Sequence, residues 1–103
     1  MSSRHNFAFF LAPEQPNVLS ARCVALQHLG RFEESEACAR RALEIDPQNG
    51  SAYFNLGSAC YGLGRYDDAE AAFRRAIELS PETGSVHKNL GGALLALEQY
   101  DKA

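Results

Sequence analysis

The chain has 103 residues, of which 46% are hydrophobic and 22% are charged, and its formal net charge is -3. This size and balance fit one small domain, and a negative net charge argues against a nucleic-acid-binding protein, which needs a basic surface. The three cysteines, Cys23, Cys38 and Cys60, are an odd number without C-x-x-C spacing. Neither a disulfide framework nor a zinc site is therefore predicted.

The first fifteen residues are the least regular part of the sequence. Residues 7–12 form an apolar run that is too short for a membrane span, and no cleavage pattern of small residues follows it. Residues 6–12 have two interpretations: the tail of a degenerate helix from a preceding repeat, or an N-terminal arm with an apolar anchor. In both, Phe9, Phe10 and Leu11 would cover the edge of the first hairpin. We expect a cytoplasmic protein without a membrane partner.

The pattern after residue 15 predicts five helices. Their expected spans are 16–29, 33 to just before Pro47, 50–63, 67–79 and 84–97. Gly30 and Gly64 supply the tight exits that a glycine after a helix allows. Glu98 stands where the third such glycine would be, so a differently shaped turn is expected there. Asp67 is the predicted N-cap of the fourth helix, with Glu70 three residues on, as in a capping box.

The segment 50–81 recurs with a constant period of 34 residues. LGRYDD at 63–68 matches LGRFEE at 29–34, RRAIEL at 74–79 matches RRALEI at 40–45, and NLG at 55–57 returns at 89–91. Such a period predicts stacked helical hairpins, each unable to bury its apolar face alone. The predicted units are the N-terminal residues 1–15 and the repeats 16–49, 50–83 and 84–103. Only Asp101, Lys102 and Ala103 remain for the last helix, which indicates a piece of a longer repeat protein.

The order of residue types within this unit resembles the tetratricopeptide repeat family. The matching residues are Tyr53, Leu56, Gly57, Cys60, Ala69, Phe73, Ala76 and Pro81. The resemblance covers about residues 16–103. It implies an all-α, right-handed superhelical stack of antiparallel hairpins whose first helices line a concave groove. Arg22, Cys23 and Ser35 depart from the pattern, so the first hairpin is expected to be looser than the second.

The resemblance also implies a peptide-binding groove. Asn55 and Asn89 stand one period apart, each before Leu-Gly. They resemble the asparagine ladder with which some family members, including the O-linked N-acetylglucosamine transferase arrays, hold a peptide backbone. The alternative is that these asparagines cap or solvate the groove. Phe54 and Tyr61 are expected as apolar contacts, although Tyr61 can instead pack against the neighbouring repeat. The main predicted set is Asn55, Asn89, Phe54, Ser58, Tyr61, Lys88, Gln27 and Val24. By the family's pattern, other residues of the first helices, Gly92 among them, also point into the groove.

These features predict a protein-interaction module that binds an extended peptide or partner segment, without a cofactor. No enzyme is predicted, because His5, His28 and His87 are scattered and no motif places a nucleophile beside a base. The carboxylate clamp of chaperone-adaptor members is not assembled, since Ser20 and Val24 stand where it needs Lys and Asn. Two alternatives stay open: homo-oligomeric self-assembly through exposed repeat ends, and a targeting segment of a larger enzyme.

Overall fold

The computed structural model describes residues 16–80 and 84–101, and the regular elements in these ranges are all helices. In chain order they are α1 (Pro16–His28), α2 (Phe32–Ile45), α3 (Gly50–Gly62), α4 (Tyr66–Leu79) and α5 (Gly84–Asp101). Consecutive helices pack as hairpins, and the all-α prediction is confirmed. The predicted helical tail at residues 6–12, with Phe9, Phe10 and Leu11, lies outside the described residues.

Two glycines end the first helices of the two complete hairpins. Gly30 has φ +76° and Gly64 has φ +78°, a left-handed conformation that costs glycine little. In each turn the following arginine closes the helix end: Arg31 N–H donates to Leu26 O at 2.8 Å, and Arg65 N–H donates to Cys60 O at 2.9 Å. This pattern of bonds is typical of a helix that ends on a left-handed glycine.

The turn expected at Glu98 does not form, and this prediction was wrong. The helix that was expected to stop at residue 97 continues to Asp101. Without a glycine in the left-handed conformation, nothing at residue 98 diverts the backbone from the helical path. Asp101 therefore belongs to α5 and does not start a further helix, and Lys102 and Ala103 lie outside the described residues.

The capping box predicted at Asp67 is also wrong. The residue in the N-cap position of α4 is Arg65, whose side chain makes no capping hydrogen bond, and Asp67 lies inside the first turn. Glu70 instead accepts from Arg74 Nε at 3.0 Å on the next turn of the same helix. Asp67 and Asp68 still complement the positive end of the helix dipole, so negative charge in this turn remains favourable.

The core of the stack is built from small residues around one aromatic ring. Phe73 of α4 is 1% exposed and is the largest fully buried side chain of the described residues. Buried alanines allow the helices to approach one another closely; they are Ala39, Ala42, Ala52, Ala59, Ala69, Ala72, Ala76, Ala93 and Ala96. Gly57 lies directly against the ring, because a Cβ atom there would fall 2.6 Å from Phe73 Cδ1.

In the first hairpin, two residues that depart from the repeat pattern, Cys23 and Ser35, are joined by a hydrogen bond between the helices. Ser35 is fully buried, donates its hydroxyl to Cys23 O at 2.9 Å and accepts from Gln27 Nε2 at 3.1 Å. The buried hydroxyl is therefore satisfied. The two helices of the first hairpin nevertheless contact each other less extensively than those of the second, as the departures predict. Whether the first hairpin is also less stable than the second remains a prediction.

The three cysteines are buried and free. Burial and the neighbouring Cys38 thiol raise the pKa of Cys23 to about 12, and burial raises the pKa of Cys60. A thiol with a raised pKa is a poorer nucleophile at neutral pH. All three cysteines lie in the core cluster, where they pack as small apolar residues. Across residues 16–80 and 84–101, no group of three potential metal ligands comes together, and no helix is long and apolar enough to cross a membrane.

The central helix α3 contacts each of the other four helices. The first helices of neighbouring hairpins touch directly, α1 with α3 and α3 with α5, whereas α2 and α4 do not contact each other. Elements on the inside of a curved stack lie closer together than those outside. The first helices therefore line the inner side, and α2 and α4 form the outer side.

One carboxylate links the two complete hairpins on the outer side. Glu36 of α2 accepts from Arg40 on its own helix at 2.9 Å and from Arg65, before α4, at 2.6 Å, and its side chain is only 12% exposed. Burial pushes the pKa of Glu36 upward, but the hydrogen bonds from Arg40 and Arg65 outweigh burial and hold the pKa below its ordinary value. The ionised carboxylate is therefore the form that the fold favours.

We expect Glu36→Gln to lower the free energy of unfolding by about 0.5–1 kcal/mol at pH 7, a modest cost because both arginines are half exposed. Since the folded pKa is depressed, this contribution is present at neutral pH and is lost as pH falls through the folded value. Urea unfolding from about pH 7 to about pH 3 should show the wild-type advantage shrinking. Glu44→Gln, at an exposed pair with Arg41, is the control. A stability advantage of the wild type over Glu36→Gln that grows as the pH falls would contradict the depressed pKa of Glu36.

Candidate peptide-binding groove

The inner surface contains a pocket between α3 and α5. Its volume is about 310 Å³, and its lining residues are Ser58, Tyr61, Phe73, Lys88, Asn89 and Gly92. Four of the eight predicted groove residues are therefore brought together here: Ser58, Tyr61, Lys88 and Asn89. The ring of Phe73, which reaches in from α4, gives the pocket an apolar floor beneath a polar rim.

Asn55 does not belong to this surface, and the structure corrects its predicted role. Its side chain is buried at 2% exposure and donates from Nδ2 to Ser20 Oγ at 3.0 Å, across the boundary between the first two repeats. Gln27 Nε2 donates to the backbone oxygen of the same residue at 3.2 Å. The amide is thus engaged within the protein and joins α1 to α3.

Asn89, one period later, has a different environment. The residue that corresponds to Ser20 in the next repeat is Phe54, which has no hydroxyl to offer. The side chain of Asn89 accordingly makes no hydrogen bond to a described residue; it is partly exposed and lines the pocket. The two asparagines therefore do not form the shared ladder that their spacing predicted.

The other predicted groove residues divide between packing and exposure. Phe54 is half-buried, with its ring centroid 5.9 Å from that of Phe73, so it belongs to the core edge and not to the open groove. Gln27 is occupied by its bonds to Ser35 and to the backbone of Asn55. Val24 is 40% exposed on α1 and does not reach the pocket.

Tyr61 packs against the neighbouring repeat. Its ring lies edge-on to Tyr66 with centroids 5.2 Å apart, and it lies beside Gly92 of α5. It nevertheless stays 41% exposed and forms one wall of the pocket. Its role as a contact for a ligand remains a prediction.

The cations of the described residues differ in their pairing. Arginines at the two turns and on the outer helices pair with glutamates; they are Arg31, Arg40, Arg41, Arg65, Arg74 and Arg75. For Lys88, on the inner helix α5, no carboxylate of the described residues lies within ion-pair distance. The pocket therefore has an exposed ammonium group at its rim.

Sequence reasoning missed one residue of the pocket, Phe73. It is a core residue, as its place in the repeat predicts, yet an edge of its ring also borders the pocket. Gly92 lines the pocket, as its inner position in the repeat pattern predicts, whereas the adjacent Gly91 does not.

Comparison with known proteins decides the family. The family model described as "Tetratricopeptide repeat" matches residues 24–82 and 61–103. The chain belongs to the tetratricopeptide repeat family. Members of this family generally serve as protein-interaction modules and not as catalysts. A comparison with curated protein sequences gave no significant match.

Solved structures with the same fold include other tetratricopeptide repeat domains. The chain superposes on the Sgt2 domain from Aspergillus fumigatus with a TM-score of 0.84 and 25% identity, over 95% of this chain and 66% of that one. A Thermobaculum terrenum O-GlcNAc transferase mutant superposes with a TM-score of 0.74 and 30% identity, over 84% of this chain but 19% of that one. The first domain of Spaghetti (RPAP3), bound to an HSP90 peptide, superposes with a TM-score of 0.77 and 24% identity. This match covers 82% of this chain and 67% of that one.

The different surroundings of Asn55 and Asn89 give a testable contrast. Asn55→Ala removes a buried hydrogen bond and should lower the free energy of unfolding by about 1–2 kcal/mol. Asn89→Ala, at a partly exposed amide without a partner among the described residues, should change it by less than about 0.5 kcal/mol. Urea unfolding of both variants measures the contrast. Equal losses at the two positions would show that Asn55 is not the specific link between the repeats.

Proposed function

We propose that this chain binds an extended segment of a partner protein along its inner surface, with the pocket between α3 and α5 as the anchoring point. The observation that carries the proposal is the pocket itself. Ser58, Lys88 and Asn89 surround an aromatic floor, and none of their side chains makes a hydrogen bond or an ion pair to a described residue. Such a set, apolar below and polar at the rim, is typical of a site that binds a peptide side chain.

The family and the comparison structures support this proposal. A tetratricopeptide repeat domain is generally an interaction module, and the Spaghetti (RPAP3) domain, with the same fold, holds a peptide. The corrected role of Asn55 changes the expected mode of binding. With that amide engaged inside the protein, recognition would depend on the pocket and on Asn89, and not on a ladder along the ligand backbone.

Selection from a displayed library of random twelve-residue peptides tests the proposal. We expect binders whose affinity falls about tenfold for Tyr61→Ala, because an aromatic wall of the pocket is lost. Arg74→Ala, on the outer helix α4, is the matched control and should leave affinity unchanged. Binders that lose affinity with Arg74→Ala and not with Tyr61→Ala would place the interaction on the outer side and refute the proposal.

Self-assembly is a second candidate, favoured by exposed leucines on α5. Leu94 is 38% exposed and Leu95 is 57% exposed, and apolar surface of this kind promotes association when it is contiguous. If copies of the chain associate through this helix, Leu94→Glu should convert a concentration-dependent oligomer into a monomer in light scattering. A monomer at all concentrations before the substitution would exclude this candidate.

A further inference from the structure

Gly92 is a glycine that the fold does not require. It has no positive φ, unlike Gly30 and Gly64, and it lies inside α5, where glycine is less favourable than alanine. Of the described residues, a Cβ atom at this position would meet only Tyr61, at 3.7 Å from its hydroxyl oxygen and 3.9 Å from Cε2, which is ordinary van der Waals contact. Packing therefore explains Gly57, where a Cβ would collide with Phe73, but it does not explain Gly92.

The location of Gly92 supplies a reason. It lines the pocket opposite the side chains of Ser58 and Tyr61, so any side chain at residue 92 would occupy part of the 310 Å³ that the pocket encloses. The preceding residue gives the contrast: Gly91 is exposed, a Cβ atom there would meet nothing within 4 Å, and it does not line the pocket. The open volume thus depends on one of two adjacent glycines.

Charge indicates what the pocket accepts. The helix α3 has no charged residue, and α1 has Arg22 and no acidic residue, whereas α2 and α4 each have four acidic residues. Lys88 therefore lies on an inner surface whose nearest wall, α3, contributes no negative charge. An ammonium, an amide and a hydroxyl beside one cavity together favour a carboxylate, which accepts several hydrogen bonds at once.

We propose that the pocket accepts one acidic side chain of the partner segment, and that Gly92 determines its size as a specificity-determining residue. The inference rests on the proposed function and adds the ligand class to it. It concerns a single side-chain carboxylate, held by Lys88 and Asn89 with the aliphatic stem of the ligand against the exposed ring of Tyr61. On either side of this acidic ligand residue, the main chain of the partner segment would continue along the inner surface.

Two blocked peptides, acetyl-Gly-Ser-Glu-Ser-Gly-amide and its Gln counterpart, test this inference by NMR titration of the ¹⁵N-labelled chain. We expect the Glu peptide to shift the backbone amides of Ser58, Lys88 and Asn89 and to bind about fivefold more tightly than the Gln peptide, as for a partly exposed ion pair. Acetyl-Gly-Ser-Gly with a free C-terminal carboxylate is the third probe and should bind more weakly than the Glu peptide.

Substitutions at the adjacent glycines complete the test. Gly92→Ala and Gly91→Ala should both raise the melting temperature, because each removes a helix-interior glycine. Gly92→Leu should weaken the Glu peptide about tenfold while Gly91→Leu leaves it unchanged.

Three results would overturn the inference: equal affinity for the Glu and Gln peptides, preference for the free C-terminus, or tight binding to Gly92→Leu. Any of these, with library-selected peptides still sensitive to Tyr61→Ala, would reject the acidic ligand or the role of Gly92 and leave the proposed function standing. If Tyr61→Ala also had no effect on the selected peptides, the proposed function would fail as well.

Discussion

Phe73→Ala is expected to lower the free energy of unfolding by about 3–5 kcal/mol, the largest effect of any single substitution that the structure suggests. The ring is 1% exposed and packs against Phe54 and against the backbone at Gly57. Helices that are held in place by small residues cannot close on the vacated volume, so most of it would remain as a cavity. A loss of this size is a large part of the total stability of a small domain.

Urea unfolding followed by circular dichroism measures this loss. Leu95→Ala is the control, because its side chain is 57% exposed and its removal should change the free energy of unfolding by less than about 0.5 kcal/mol. Should Phe73→Ala unfold at nearly the wild-type urea concentration, the ring would not be the centre of the core. The pocket floor would then also be in doubt, because the same ring forms it.

Gly57→Ala should destabilise the chain by about 1–2 kcal/mol, although alanine is the better helix former. The new Cβ would stand 2.6 Å from Phe73 Cδ1 and Cε1, well inside van der Waals contact. Because that ring is fully buried, it can move away only by separating α3 from α4. The cost of overpacking therefore exceeds the gain of about 1 kcal/mol in helix propensity.

Gly91→Ala is the matched control, since Gly91 follows Gly57 by one period in the same Leu-Gly pair. Nothing lies within 4 Å of a Cβ at this position, so the substitution should stabilise the chain by about 0.5–1 kcal/mol. Thermal unfolding of both variants should move the midpoints in opposite directions. A shift to higher temperature at both positions would mean that the close approach of α3 and α4 is not required.

The sequence was sufficient to predict the fold because the repeat constrains it many times over. The 34-residue period, the glycines that follow the first helices and the RRAIEL segment after Phe73 all indicate the same hairpin. Each of these features appears at least twice in the sequence. The errors occurred where one residue had to be judged without its neighbours. Asp67 lies inside a helix whose start is set by the preceding turn, and Glu98 lies in a helix that nothing interrupts.

The candidate site was predicted less completely, and Asn55 shows why. Its position in the repeat is that of Asn89, but its surroundings depend on residues one period earlier, where Ser20 provides an acceptor and Phe54 does not. A periodic pattern identifies equivalent backbone positions, and it does not identify which of them finds a partner. The repeat pattern does place Gly92, and not Gly91, on the inner face, and Gly92 lines the pocket.

The position of α3 also determines how the chain loses its structure. Every other described helix contacts it, although α5 packs mainly against α4. Arrays in which each repeat contacts only its neighbours usually fray from an end. Here the other helices share α3 as a common partner, and they cannot all separate from it without exposing its buried residues. The chain should consequently melt as one cooperative unit, with α5 as the element whose detachment disturbs the remainder least.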